Sequence, residues 1–163
     1  MLPKMIISAE CKKMLDEAIH SELYASNLYK HIANQLQRLG YFGASKFFLN
    51  ESADELKHYQ LHVEFLNDVG TVAKVPMIEA MNETIETFSD AIETGYETEL
   101  ELLNNYQGWY RDTAEDPIVQ QFLLQFLEIQ RTSVGEYGDL LARIQLVDQD
   151  KAGMLLIDQE LGG

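Results

Sequence analysis

Residues 44–69 read ASKFFLNESADELKHYQLHVEFLNDV. Ala44, Phe47 and Phe48, then Leu61, Phe65, Leu66 and Val69, recur at steps of three and four. That spacing puts them on one face of an α-helix. Midway, the face is broken by Glu55 and His58, with Glu51 and Asp54 close by. Charged side chains at such steps either form a solvated face or present a carboxylate and an imidazole to a metal. The rest of the chain decides between these readings.

Three further apolar stripes flank this one. The first runs Leu15, Ala18, Ile19, Ala25, Ser26, Tyr29, Ile32, Ala33 and Leu36, up to Gly40. The third runs Ile85, Phe88, Ile92, Tyr96, Leu102, Leu103, Tyr106 and Trp109. The fourth starts at Asp116-Pro117, a cap residue followed by proline at the first helical position. It continues through Phe122, Phe126, Ile129, Val134, Tyr137, Leu141 and Ile144. None of the three prolines interrupts a stripe, and no stretch is rich in β-formers. Helices of roughly 27–32 residues are about 40–48 Å long and bury an apolar face by bundling. Short connections, about three residues after the first helix and about six after the third, predict two antiparallel hairpins. Between the hairpins lies TVAKVPMIEAMN, residues 71–82. Extended, it reaches about 40 Å, enough to run back along the bundle and leave the second and third helices parallel. The expected fold is all-α: a four-helix bundle with one long crossover and a short fifth helix in GMLLIDQEL, residues 153–161.

A chain of 163 residues fits one domain spanning 1–163. With 27 acidic against 12 basic side chains, its formal charge is -15. This disfavours nucleic acid and anionic membrane as partners and permits cations. Cys11 is the only cysteine, so intrachain disulfides and thiolate metal clusters are excluded. With no signal peptide and no apolar stretch long enough to span a bilayer, a cytoplasmic protein is expected.

Polar side chains interrupt every stripe near its middle. Glu22 lies three and four residues after Ile19 and Ala18, and four before Ser26. Glu55 and His58 occupy the second stripe, Glu99 the third and Gln130 the fourth. Buried carboxylates are costly unless paired or metal-bound. A lone glutamate at an apolar boundary is usually a snorkelling surface residue, so the coincidence across four helices carries the weight. Glu17 and His20 repeat the E-x-x-H spacing, but His20 turns away from the face defined by Ala18 and Ile19. His31 falls on the far side of its helix and is expected in solvent. His62, one turn after His58, could stand behind the ligands but reads rather as a structural or surface residue, and tyrosines at helical spacing read as core.

These segments resemble the ferritins, and most of all the bacterial non-haem ferritins of the H type. The resemblance rests on SELYASNLY (21–29), DELKH (54–58), DAIETGYETEL (90–100), LLQFLEIQRTS (123–133) and the tail GMLLIDQEL. It implies a dinuclear Fe(II)/Fe(III) centre within one subunit. Glu22 and His58 would hold one iron, Glu99 the other, and Glu55 would bridge. Gln130 would hydrogen-bond to bound water or oxygen, and Tyr29 would serve as hydrogen-bond donor or electron source. The implied function is a ferroxidase: O2 or H2O2 oxidises paired Fe(II), and ferric mineral is stored in a homo-24-mer shell. Ile129, Thr132 and Ser133 stand where many bacterial ferritins carry glutamates for a third iron, leaving Asp54 without partners. Leu56 replaces the methionine by which haem-binding relatives hold haem, so no haem is expected. Positions 120 and 123, acidic in many ferritin channels, are Gln and Leu, while Asp112, Glu115 and Asp116 cluster nearby at a solvated loop end. A metal-buffering cage without rapid oxidation and a dodecameric miniferritin stand as alternatives.

Overall fold

The structure is a computed structural model and describes residues 1–163. Five helices follow in order: α1 (Ala9–Leu39), α2 (Phe42–Asp68), α3 (Phe88–Asp112), α4 (Pro117–Val147) and α5 (Lys151–Leu161). No strand forms. Helix α1 packs on α2 and α3 on α4, the two hairpins meet chiefly through α1 and α3, and α5 folds against α2.

Helix ends follow from capping chemistry. Ser8 accepts from the Cys11 amide at 3.1 Å, and Asp116 accepts from Val119 N at 3.3 Å with Pro117 next in line. Helix α1 stops at Gly40, whose φ of 91° is cheap for glycine; Tyr41 N then bonds back to Leu36 O at 3.0 Å. Helix α3 starts later than the apolar stripe predicted. Thr87 and Asp90 form a capping box, each side chain taking the other's backbone amide, and this fixes the first turn. Ile85 is buried but belongs to the crossover, not to the helix.

The crossover therefore spans residues 69–87, longer than the expected 71–82. It climbs α1 from one end to the other. Lys74 N donates to Asp16 at 3.0 Å, His20 faces Glu79 at 3.5 Å, and Tyr24 donates to Glu83 at 3.1 Å. Higher up, Ile85 N donates to Gln35 at 2.9 Å. His31, expected in solvent, is instead part-buried, with Nε2 2.8 Å from the Glu83 carbonyl. It is one of the clamps that seat the strap. Carried along the full length of α1, the chain starts α3 antiparallel to α1 and parallel to α2.

Helix α5 is fixed through one buried polar contact. The Asp158 carboxylate accepts from Ala44 N at 2.7 Å, supplying an acceptor in the first turn of α2. Beside it, a Cβ on Gly43 would lie 1.8 Å from the Asp158 carbonyl oxygen. By contrast, a Cβ on Gly108 in α3 meets nothing within 4 Å. Gly43→Ala is expected to displace α5 and lower stability by about 1–3 kcal/mol. Gly108→Ala, with room and a helical backbone, is expected to raise it by about 0.5–1 kcal/mol. Chemical denaturation of the two variants checks both signs.

Candidate metal centre

The stripe-breaking side chains all turn inward at mid-bundle height. Glu22 in α1, Glu99 in α3 and Gln130 in α4 have no solvent exposure, and Glu55 in α2 has 3%. The His58 side chain keeps 14%. Glu22, Glu55 and His58 each bring a ligand atom within 4.8 Å of the others. His58 Nδ1 lies 3.2 Å from Glu55 Oε2 and 3.4 Å from Glu22 Oε2. Glu99 stands outside this tight group, with both oxygens engaged. Tyr29 donates to Oε1 at 2.5 Å, and Gln130 Nε2 donates to Oε2 at 2.7 Å.

Packing orients these groups. Tyr29 is wholly buried and leans on Phe48, and the His58 ring meets Phe126 edge-on at 6.0 Å. The second E-x-x-H pair behaves as expected: Glu17 is exposed and His20 faces Glu79 on the surface. A groove of about 620 Å³ between α2 and α4 opens onto Glu55 and His58. Glu51, Asp54, Glu128 and Glu136 line it, with Ile129, Thr132 and Ser133. Asp54 is exposed and pairs with Lys57 at 2.7 Å.

Charge crowding sets the protonation. Burial, then the Glu22 carboxylate, push Glu55 well above the usual carboxylate range. Burial also tends to raise Glu22, but the neighbouring Glu55 carboxyl and then the His58 imidazole outweigh it and hold Glu22 low. Burial raises Glu99 against the opposing bonds of Tyr29 and Gln130. His58 is pulled down by burial and more strongly up by Glu22. Glu55 and His58 are thus both biased toward their protonated forms, around a Glu22 held low. Three buried polar atoms have no hydrogen-bond partner: Glu22 Oε2, Gln130 Oε1 and, farther out, His62 Nδ1. Lone pairs stranded among carboxylates and an imidazole suit a hard or borderline divalent cation, so the donor set fits a metal such as iron.

Four further side chains, none of them among the expected ligands, surround the centre. Tyr106 donates to Glu22 Oε1, His62 Nε2 lies 2.8 Å from the Tyr106 hydroxyl, and Tyr137 donates to Glu51 at 3.2 Å. Glu51 itself is raised to about 7 by burial and by Glu99. A regular spacing marks three of them: His62, Tyr106 and Tyr137 lie seven residues after Glu55, Glu99 and Gln130, as Tyr29 does after Glu22.

The match to known families agrees with this geometry. Residues 12–147 match the ferritin family, described as a ferritin-like domain. The chain belongs to the ferritin family. Among its relatives is a probable bacterial non-heme ferritin-like protein of Haemophilus influenzae, 28% identical over 159 residues that make up 96% of either chain. A bacterial non-heme ferritin of Campylobacter jejuni is 22% identical over 156 residues, 94% of this chain and 93% of that one. The open pore ferritin of Archaeoglobus fulgidus superposes with a TM-score of 0.93 at 23% identity, over 96% of each chain. That superposition establishes the ferritin fold.

Two pH dependences follow. Ligation needs Glu55 ionised and His58 neutral, whereas their surroundings favour the protonated form of both. Divalent-metal binding by this ferritin is therefore expected to release protons near neutral pH and to weaken on acidification; calorimetry in buffers of different ionisation enthalpy reads the proton count. Glu51 has a folded pKa of about 7 against 4.5 unfolded, so its ionisation penalty grows between those values and is complete above 7. Glu51→Gln removes it. The variant is expected to gain about 1–3 kcal/mol at pH 8 and nothing below pH 4, read from denaturation at both pH values.

Proposed function

We propose that this ferritin is an iron-storage ferroxidase acting at a dinuclear centre inside each subunit. The observation that carries the reading is the buried group of Glu22, Glu55 and His58, within 4.8 Å of one another, with Glu22 Oε2 left unpaired. Glu22 and His58 hold one Fe(II), Glu99 receives the other, and Glu55 bridges them. Gln130 and Tyr29 position Glu99 before the metal arrives, and the Gln130 carboxamide then orients bound water or oxygen. Each Fe(II) gives up one electron to O2 or H2O2. Protons leaving Glu55 and His58 make room for the cations. The acidic groove between α2 and α4 is the passage by which ions reach or leave the centre.

Storage requires a closed container. Leu146, Leu155 and Leu156 are exposed around α5, as expected of surfaces that other subunits cover in a homo-24-mer. The relatives' designation as non-heme ferritins and the exposed Leu56 side chain support a haem-free protein. No helix is long and apolar enough to cross a membrane. A single cytoplasmic domain over 1–163 is the reading adopted.

The test is stopped-flow oxidation of Fe(II) at two ions per subunit, after mixing anaerobic protein with O2. The wild type is expected to oxidise iron in a fast phase, and Glu22→Ala and His58→Ala are expected to lose about 10²-fold or more of that rate while still assembling. Oxidation no faster than free iron in wild type would leave a metal-buffering cage. Light scattering of the assembled protein distinguishes a 24-mer from a dodecamer.

A further inference from the structure

One fully buried imidazole lies outside the proposed ligand set. His62 is fully buried on α2, two turns beyond Glu55, between Phe126 (4.6 Å, stacked) and Phe122 (5.2 Å, edge-on). Its Nε2 lies 2.8 Å from the Tyr106 hydroxyl, and that hydroxyl donates to Glu22 Oε1. Tyr106 has only one phenolic proton, and the Glu22 carboxylate is the stronger acceptor, so the proton points to Glu22. His62 must then give its Nε2–H to the phenol oxygen. Its Nδ1 is left as a bare acceptor, buried with no donor in reach. An unsatisfied buried acceptor costs about 1–3 kcal/mol. A leucine at 62 would avoid that cost in the same aromatic slot.

The series runs from His62 to the Tyr106 hydroxyl and ends at one oxygen of one carboxylate. Tyr106 occupies Oε1 of Glu22, and Oε2, the unpaired atom, is the one facing His58. We propose that His62 and Tyr106 are positioning residues for Glu22: the pair locks its rotamer and reserves Oε2 for the first metal ion. This rests on the dinuclear reading above but assigns a task to two residues that lie outside the ligand set. Outer hydrogen-bond partners of metal ligands are worth about 10–100-fold in affinity.

The experiment is Zn(II) titration calorimetry and Co(II) ligand-field spectroscopy on intact assembled protein, comparing wild type, His62→Leu, His62→Gln and Tyr106→Phe, with denaturation run alongside. His62→Leu is expected to weaken the first ion about tenfold and alter the Co(II) spectrum while leaving stability unchanged or higher. Tyr106→Phe is expected to weaken it further, and His62→Gln, which keeps a donor, to recover part of the affinity. A structural histidine would give the opposite pattern: lower stability of His62→Leu with unchanged affinity and spectrum. That pattern, or first-ion affinity equal to wild type in both His62→Leu and Tyr106→Phe, overturns the inference and leaves the dinuclear reading intact. A wild type that binds neither Zn(II) nor Co(II) overturns both.

Discussion

Three carboxylates, Glu22, Glu55 and Glu99, share an interior almost sealed from water. Charges cannot be left bare there, because the desolvation penalty far exceeds anything the surrounding apolar packing returns. The arrangement around them is the set of compensations this constraint demands. Tyr29 and Gln130 bind Glu99, Tyr106 binds Glu22, His58 lies between Glu22 and Glu55, and a proton sits on Glu55. The donors must be held at fixed positions, so the helices carrying them are braced by aromatic contacts such as Tyr106 on Phe126 at 4.8 Å. On the proposed reading, a divalent ion would replace the protons and satisfy the orphaned oxygens as well.

Much of the bundle was legible because helix chemistry is local. Gly40, Asp116-Pro117 and the apolar stripes gave helix ends and faces without reference to the rest of the chain. The start of α3 was misplaced because Ile85 continues the stripe by three residues, and apolar spacing does not distinguish a helix face from a strap packed on the same core. The Thr87–Asp90 capping pair was in the sequence and overrides it. His31 was misjudged for a non-local reason: the side of α1 opposite Glu22 faces solvent only until the crossover is laid over it.

At the candidate site the carboxylates stood out because each breaks an apolar pattern. Their partners did not, since Tyr106, Tyr137 and His62 continue that pattern and differ from core residues only by a polar tip. Glu51 stood only as one of the charged side chains near Glu55, and its burial in the bundle, with Glu99 close by, is what perturbs it. Pairing between helices is the information a single helix cannot hold. The seven-residue spacing of acid or amide and aromatic was the one sequence trace of it.

That spacing has a mechanical meaning in α1 and α3. Glu22 and Tyr29 face Tyr106 and Glu99 in reverse order, so the antiparallel pair is tied by two crossed bonds, each acid to the other helix's phenol. Sliding one helix along the other stretches both ties together, and no compensating shift exists. An inserted or deleted residue between acid and phenol in either helix changes one rung length alone, so restoring one tie by translation worsens the other. The two intervals are constrained to stay equal, and the height of the metal centre in the bundle is thereby fixed from both ends.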